Sequence, residues 1–199
     1  MSSMMTSRKV ISANMMNNAN DDLSLVSQAA VFHDRQAFGK LVVRYQSPIR
    51  RFFLHLTAGD ASLSDDLAQD TFVKAFLNIE RFRGASAFST WLYRIAYNVF
   101  FDYTRRHRPN DDIASTEALE HRSSDTDHNA RMDVYDALRR LGEKERTCVT
   151  LQLVDGYPLE DIARITGMAV GTVKSHLFRG KQKLTTFLKN NGYEGNGKK

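Results

Sequence analysis

The chain has 199 residues, with 28 lysines and arginines against 23 aspartates and glutamates, a formal net charge of +5 and 42% hydrophobic residues. That is enough apolar material for one or two small domains, and the basic excess points to an acidic partner (nucleic acid, an anionic membrane or an acidic protein) or to plain solubility. A single cysteine excludes an internal disulfide framework and any multi-cysteine metal site, no apolar run approaches the ~20 residues of a membrane span, and no signal-peptide core opens the chain, so a cytoplasmic location is expected.

Residues 1–21 are rich in Met, Ser and Asn without any period and read as a disordered arm. Residues 22–108 carry a helical pattern. Leu23, Val26 and Ala30 open a short helix, and Phe38, Leu41, Val42, Tyr45, Ile49, Phe52, Phe53 and Leu56 recur at three- and four-residue steps in a long amphipathic one. Pro48 is expected to bend or split that helix. Leu67, Thr71, Phe72, Ala75, Phe76 and Ile79 mark a further helix that ends before Gly84.

The stretch SAFSTWLYRIAYNVFFDYTRRHR then loads one helix with more rings than a single core face can hide and closes it on cations. On a helical wheel Phe88, Leu92, Ile95 and Val99 share a core face flanked by Trp91 and Tyr103. Tyr93, Tyr97 and Phe100 form a second row, and Arg94, Asn98 and Arg105 a third. Rings beside cations suit single-stranded nucleic acid, whose bases stack and whose phosphates pair; burial of the second row under a neighbouring helix is the alternative. Asp102 is expected to pair with Arg105 or Arg106 one turn on.

Residues 109–130 turn acidic and poor in large apolar side chains, which reads as a flexible linker. Helical pattern returns over 131–190, first through Val134, Ala137, Leu138 and Leu141, then through Cys148, Leu151 and Leu153, with Cys148 read as a buried structural thiol. Residues 191–199 form a Gly- and Lys-rich tail. The expected fold is all-α, two small helical domains joined by a flexible acidic linker.

The second domain holds a helix-turn-helix. In PLEDIARITGMAVGTVKSHLFRGKQKL, Ile162, Ala163 and Ile165 line the inner side of a first helix and Gly167 ends it in the left-handed region. Val170, Val173, Leu177, Leu184 and Leu188 then stripe a second helix, leaving Thr172, Ser175, Arg179, Gln182 and Lys183 on the opposite side. Such a short, cationic, hydrogen-bonding face suits the DNA major groove, with Arg179 able to pair with guanine.

Taken together, DDLAQDTFVKAF, FRGASAFSTWLYRIAYN, DYTRRHR and IARITGMAVGTVKSHLFRGKQKL resemble the extracytoplasmic-function sigma factors of the sigma-70 family over about residues 22–188. The resemblance implies that residues 22–108 are sigma region 2 and residues 131–190 region 4, and that the partners are core RNA polymerase (its β′ clamp helices and β flap), promoter DNA and an anti-sigma factor. Asp66, Gln69 and Asp70 would dock on the clamp helices. Phe82, Arg83, Ser86, Phe88, Trp91 and Asn98 would capture a flipped base of the minus-ten element, with Arg94, Arg105 and Arg106 holding the backbone. Thr172, Lys174, Ser175, His176, Phe178, Arg179 and Lys183 would read the minus-thirty-five element. The sequence departs from the family pattern at His176, where Arg is usual, at Gly180, where Ala is usual, and at Phe100 and Phe101, which make the ring-rich helix more apolar at its end. An anti-sigma factor is expected to cover that apolar surface.

Two other classes compete. A free-standing helix-turn-helix regulator would bind duplex DNA without polymerase and has no need of stacking rings. An enzyme finds little support: His33, His55, His107, His121, His128 and His176 have no metal-ligand spacing, and no phosphate-binding Gly-rich loop or nucleophile pattern appears. No cofactor and no metal are expected.

Overall fold

The computed structural model describes residues 21–107 and 126–192. The expected arm up to residue 20, the expected tail from residue 193 and the expected linker up to residue 125 lie outside the described residues; residue 21 already belongs to the first helix and residues 191–192 form a turn. A helix over residues 21–31 (α1) is followed by α2 (Arg35–Leu56), α3 (Ala61–Leu77), a 3-10 turn (Ile79–Arg81) and α4 (Phe88–His107). The second half holds α5 (Thr126–Arg139), α6 (Glu143–Val149), a π-helical turn (Thr150–Val154), α7 (Leu159–Thr166) and α8 (Val170–Asn190).

Local chemistry sets the helix ends. Asp34 accepts from the Gln36 and Ala37 N–H groups and starts α2; Asp60 accepts from the Leu63 N–H and starts α3. Each such cap is worth about 1 kcal/mol. Pro48 neither splits nor ends α2, which runs unbroken past it. The proline forfeits one hydrogen bond, but Leu41, Ile49, Phe52, Phe53 and Leu56 on the same helix are almost fully buried, and that burial outweighs the loss. α5 begins at Thr126, inside the stretch whose composition reads as linker.

Four positions of the expected apolar pattern come out exposed: Leu23, Phe76, Val134 and Leu153. Leu153 lies in the π-helical turn, where the wider turn rotates it off the face that holds Cys148 and Leu151. Cys148 is fully buried, and burial pushes its thiol up to about 12, so it stays protonated and inert.

In the helix-turn-helix, Gly167 ends α7 at φ 71° as required of a left-handed cap. Ile162, Ile165, Val173 and Leu177 meet in its core. Gly180, on α8, has a specific reason to be glycine: a Cβ there would fall 2.7 Å from Val149 Cγ2 on α6. Val149 is β-branched and buried, so it cannot swing away freely. Gly180→Ala is therefore expected to lower the melting temperature, since overpacking costs typically ~1–3 kcal/mol and helix propensity returns only ~1 kcal/mol. In a Val149→Ala background the same change is expected to raise it. A double-mutant cycle of thermal melts checks both signs; a stabilising Gly180→Ala in the natural background would refute the packing account.

The two halves pack on each other. α4 lies against α7, and α2 against α6 and the π-helical turn. The Tyr93 and Tyr157 rings meet edge to face at 5.0 Å, Arg146 donates to the Leu56 carbonyl at 2.6 Å, and Arg139 donates to the Ala58 carbonyl at 3.1 Å.

Candidate nucleic-acid interface

The second ring row of α4 is not a stacking face. Tyr93, Tyr97 and Phe100 are buried, and the second half of the chain supplies part of that cover through Tyr157. Burial raises the pKa of both Tyr93 and Tyr97, so they remain neutral. Phe88 is also core, in edge contact with Tyr45 at 5.5 Å and Phe82 at 5.8 Å. Phe100 belongs to the interior and offers no surface to a partner, while Phe101 remains half-buried.

A different surface gathers the rest of the candidate residues. Between α3, the 3-10 turn and α4 lies a cavity of about 290 Å³ lined by Lys74, Asn78, Arg81, Trp91, Arg94, Ile95 and Asn98. Trp91 is half-buried and forms one wall, packed against Phe82 at 5.6 Å and Phe88 at 5.5 Å. Arg81, Arg94 and Asn98 are exposed at its rim. The Asn98 amide has no hydrogen-bond partner among the described residues, whereas Asn78 donates to the Lys74 carbonyl at 2.8 Å. A space of this size with an aromatic wall, two amides and three cations can hold one unpaired base and its phosphate.

Lys74, Asn78 and Arg81 escaped the sequence reading, although their four- and three-residue steps place them on one side of the chain. Phe82, half-buried, begins the loop beside the cavity, Arg83 is exposed there, and Gly84 turns the loop at φ 68°. The Ser86 hydroxyl donates to the Ala87 carbonyl at 3.4 Å. At the far end of α4, Arg105 pairs with Asp102 at 3.2 Å as expected, and Arg106 is exposed.

On α3, Asp66, Gln69 and Asp70 are all exposed and continue into exposed Val73, Phe76 and Leu77. The three- and four-residue steps make one stripe, acidic at its start and apolar at its end. Asp65 beside it is held by Arg50.

On α8, Thr172, Lys174, Ser175, Phe178, Arg179 and Lys183 are exposed and His176 is half-buried. Two of the cations are engaged within their own domain by Glu145 of α6, a residue the sequence did not single out. Lys183 donates to it at 2.7 Å, and Arg179 lies 3.4 Å away. Burial pushes the Glu145 carboxyl up, but the hydrogen bonds from Lys183 and the Gly142 N–H and the charges of Lys183 and Arg179 outweigh it, leaving the carboxyl below its usual value. Arg179 also donates to His176 Nδ1 at 3.1 Å. Burial and the Arg179 charge hold that imidazole below its usual pKa, so it is neutral and can accept.

Residues 41–109 match the family described as Sigma-70 region 2, and residues 131–184 match Sigma-70, region 4. The ECF RNA polymerase sigma-E factor of Haemophilus influenzae is 37% identical over 165 residues, covering 75% of this chain and 86% of that protein. The chain belongs to the extracytoplasmic-function sigma factors of the sigma-70 family. It is an RNA polymerase sigma factor, and its function is promoter recognition in transcription initiation. The RNA polymerase sigma-H factor of Pseudomonas aeruginosa is a further relative, 35% identical over 170 residues, which cover 78% of this sigma factor and 88% of its relative.

The fold matches too. CnrH, solved in complex with the cytosolic domain of CnrY, superposes with a TM-score of 0.67 at 26% identity, covering 85% of this sigma factor and 98% of that chain. The Bartonella quintana sigma factor RpoE, solved with the anti-sigma factor NepR, superposes with a TM-score of 0.62 at 27% identity, covering 76% and 96%. Among the described residues no helix is long and apolar enough to cross a membrane.

Proposed function

We propose that this sigma factor docks on the β′ clamp helices of core RNA polymerase through the Asp66–Gln69–Asp70 stripe of α3. In this reading α8 enters the major groove at the minus-thirty-five element, and the cavity between α3 and α4 captures an unpaired base of the minus-ten element. The region around α8 also meets the β flap, and the protein works in the cytoplasm as a recognition subunit with no catalysis of its own. The observation that carries the reading is the cavity: Trp91, Arg94 and Asn98, assigned to one element by resemblance, line one space together with further cations. An anti-sigma partner fits the fold likeness to a sigma factor solved with NepR.

The test is run-off transcription with core polymerase on a promoter from upstream of the protein's own gene. A discrete transcript that depends on this protein supports the reading. Duplex binding without any transcript would favour the free-standing regulator instead.

Base reading by α8 gives a sharper expectation. Arg179→Ala should weaken binding to the preferred promoter by about 1–3 kcal/mol and relax selectivity at one position. Arg179 must first leave Glu145, which lowers the net gain from its base contact, so the loss should fall toward the low end of that range. Competition binding against single-base variants of the minus-thirty-five element checks it, and unchanged affinity and selectivity would rule out this groove assignment.

A further inference from the structure

We infer that Glu145 of α6 holds the place of a DNA phosphate on α8, so that promoter binding has to displace this internal carboxylate from Arg179 and Lys183, and the exchange sets the affinity for the minus-thirty-five element. The inference rests on the reading of α8 as the helix that enters the groove.

The carboxylate and its partners differ sharply in exposure. The Glu145 side chain is 9% exposed, whereas those of Arg179 and Lys183 are 54% and 49% exposed. The two cations stand four residues apart on α8 and so share one side of it. One Glu145 oxygen, Oε2, accepts from Lys183 at 2.7 Å, and the other, Oε1, lies 3.4 Å from Arg179 Nε. Each oxygen therefore serves one cation. A backbone phosphate offers the same pair of anionic oxygens, and lysine and arginine bind carboxylates and phosphates through the same charge-assisted bonds.

Three further contacts hold the carboxylate in this position. The Gly142 N–H donates to Oε2 at 3.2 Å. Gly180 lies between the two cations on α8, and a Cβ there would fall 3.5 Å from Glu145 Cβ. The bare backbone lets α6 and α8 come close enough for a glutamate to reach both neighbours. His176 Nδ1 accepts from Arg179 Nη2 at 3.1 Å, so the guanidinium is held from two sides. With two cations and a backbone donor facing it, the enclosed carboxylate stays ionised. The side chains it ties are those that face outward beside Thr172 and Ser175, not core side chains.

On DNA, each cation trades one anion for another. The carboxylate stays behind in the domain and keeps its charge. Arg179 and Lys183 thus deliver one net positive charge to the DNA instead of two. Each phosphate neutralised adds about 0.9 to the slope of log affinity against log salt. The natural protein should fall short by one such step.

The test compares the natural chain with Glu145→Gln, each assembled with core polymerase. Binding to a duplex carrying the promoter upstream of the protein's own gene is followed over a series of salt concentrations. Glutamine keeps an acceptor for the Gly142 N–H, as in a capping box, and a thermal melt reports the fold. Glu145→Gln should raise affinity about threefold to tenfold at low salt and steepen the salt slope by ~0.9. Glu145→Met, close in length and uncharged, should steepen it equally. Lys183→Gln should then cost about threefold more in the Glu145→Gln background than in the natural chain, where the lysine is already engaged. A merely structural Glu145 would move the melting temperature and leave slope and coupling alone. Unchanged or weaker binding by Glu145→Gln, or strictly additive losses with Lys183→Gln, would overturn the inference. If neither protein preferred the minus-thirty-five element to a scrambled one, the groove reading itself would fall, and the inference with it.

Discussion

Changing Asp66 and Asp70 together to lysine is expected to abolish capture of core RNA polymerase while leaving the melting temperature almost unchanged. Both side chains are exposed on α3, and substitutions at such positions usually move stability by no more than ~0.5 kcal/mol. Their carboxylates open a stripe that ends in exposed Val73, Phe76 and Leu77, the pattern of an interface with charged steering at one end and apolar contact at the other. Reversing two charges sets like against like across that interface, at a cost of several kcal/mol, or a loss of affinity of about a hundredfold or more. Gel filtration of tagged core polymerase with the variant, beside the natural protein, gives the measurement. Undiminished co-elution would show that this stripe faces solvent in the holoenzyme.

The second large effect is expected at Asn98. Asn98→Ala should leave duplex binding and polymerase docking near normal while lowering the population of melted promoter about fivefold or more, because one captured base is worth about 1–3 kcal/mol. Asn98 is a clean probe: it is exposed, and its amide holds nothing else among the described residues. Phe82→Ala is less clean, since Phe82 packs on both Phe88 and Trp91. Permanganate footprinting at matched occupancy reads the melted thymines, and a template already mismatched across the minus-ten element should rescue most of the loss. Natural thymine reactivity in Asn98→Ala would mean that the cavity does not hold the base.

The helices were legible because their apolar residues repeat at three- and four-residue steps, and the helix-turn-helix because Gly167 punctuates it. The fate of Tyr93, Tyr97 and Phe100 was not legible. A wheel shows that a second apolar row exists, but whether it meets bases or another helix depends on contacts from residues more than fifty positions away, and Tyr157 supplies one of them. The start of α5 at Thr126 was hidden because residues 126–130 are polar and carry no apolar period. Leu153 misled because a π-helical turn breaks the spacing on which the wheel depends. At the cavity, resemblance supplied Trp91, Arg94 and Asn98, while Lys74, Asn78 and Arg81 emerged only when the end of α3 was seen beside α4. The restraint of Arg179 and Lys183 by Glu145 was equally invisible, since it joins positions 38 residues apart in the case of Lys183.

The close approach of Gly180 to Val149 makes these two positions interdependent in descent as well as in packing. An alanine at 180, which the family resemblance leads one to expect, carries no fixed value for this chain: it is unfavourable while valine stands at 149 and favourable once a smaller residue does. That is sign epistasis, imposed by a gap of 2.7 Å between a methyl group and a Cβ that the sequence omits. Consensus design that restored alanine at 180 without first reading position 149 would therefore weaken the domain it was meant to strengthen.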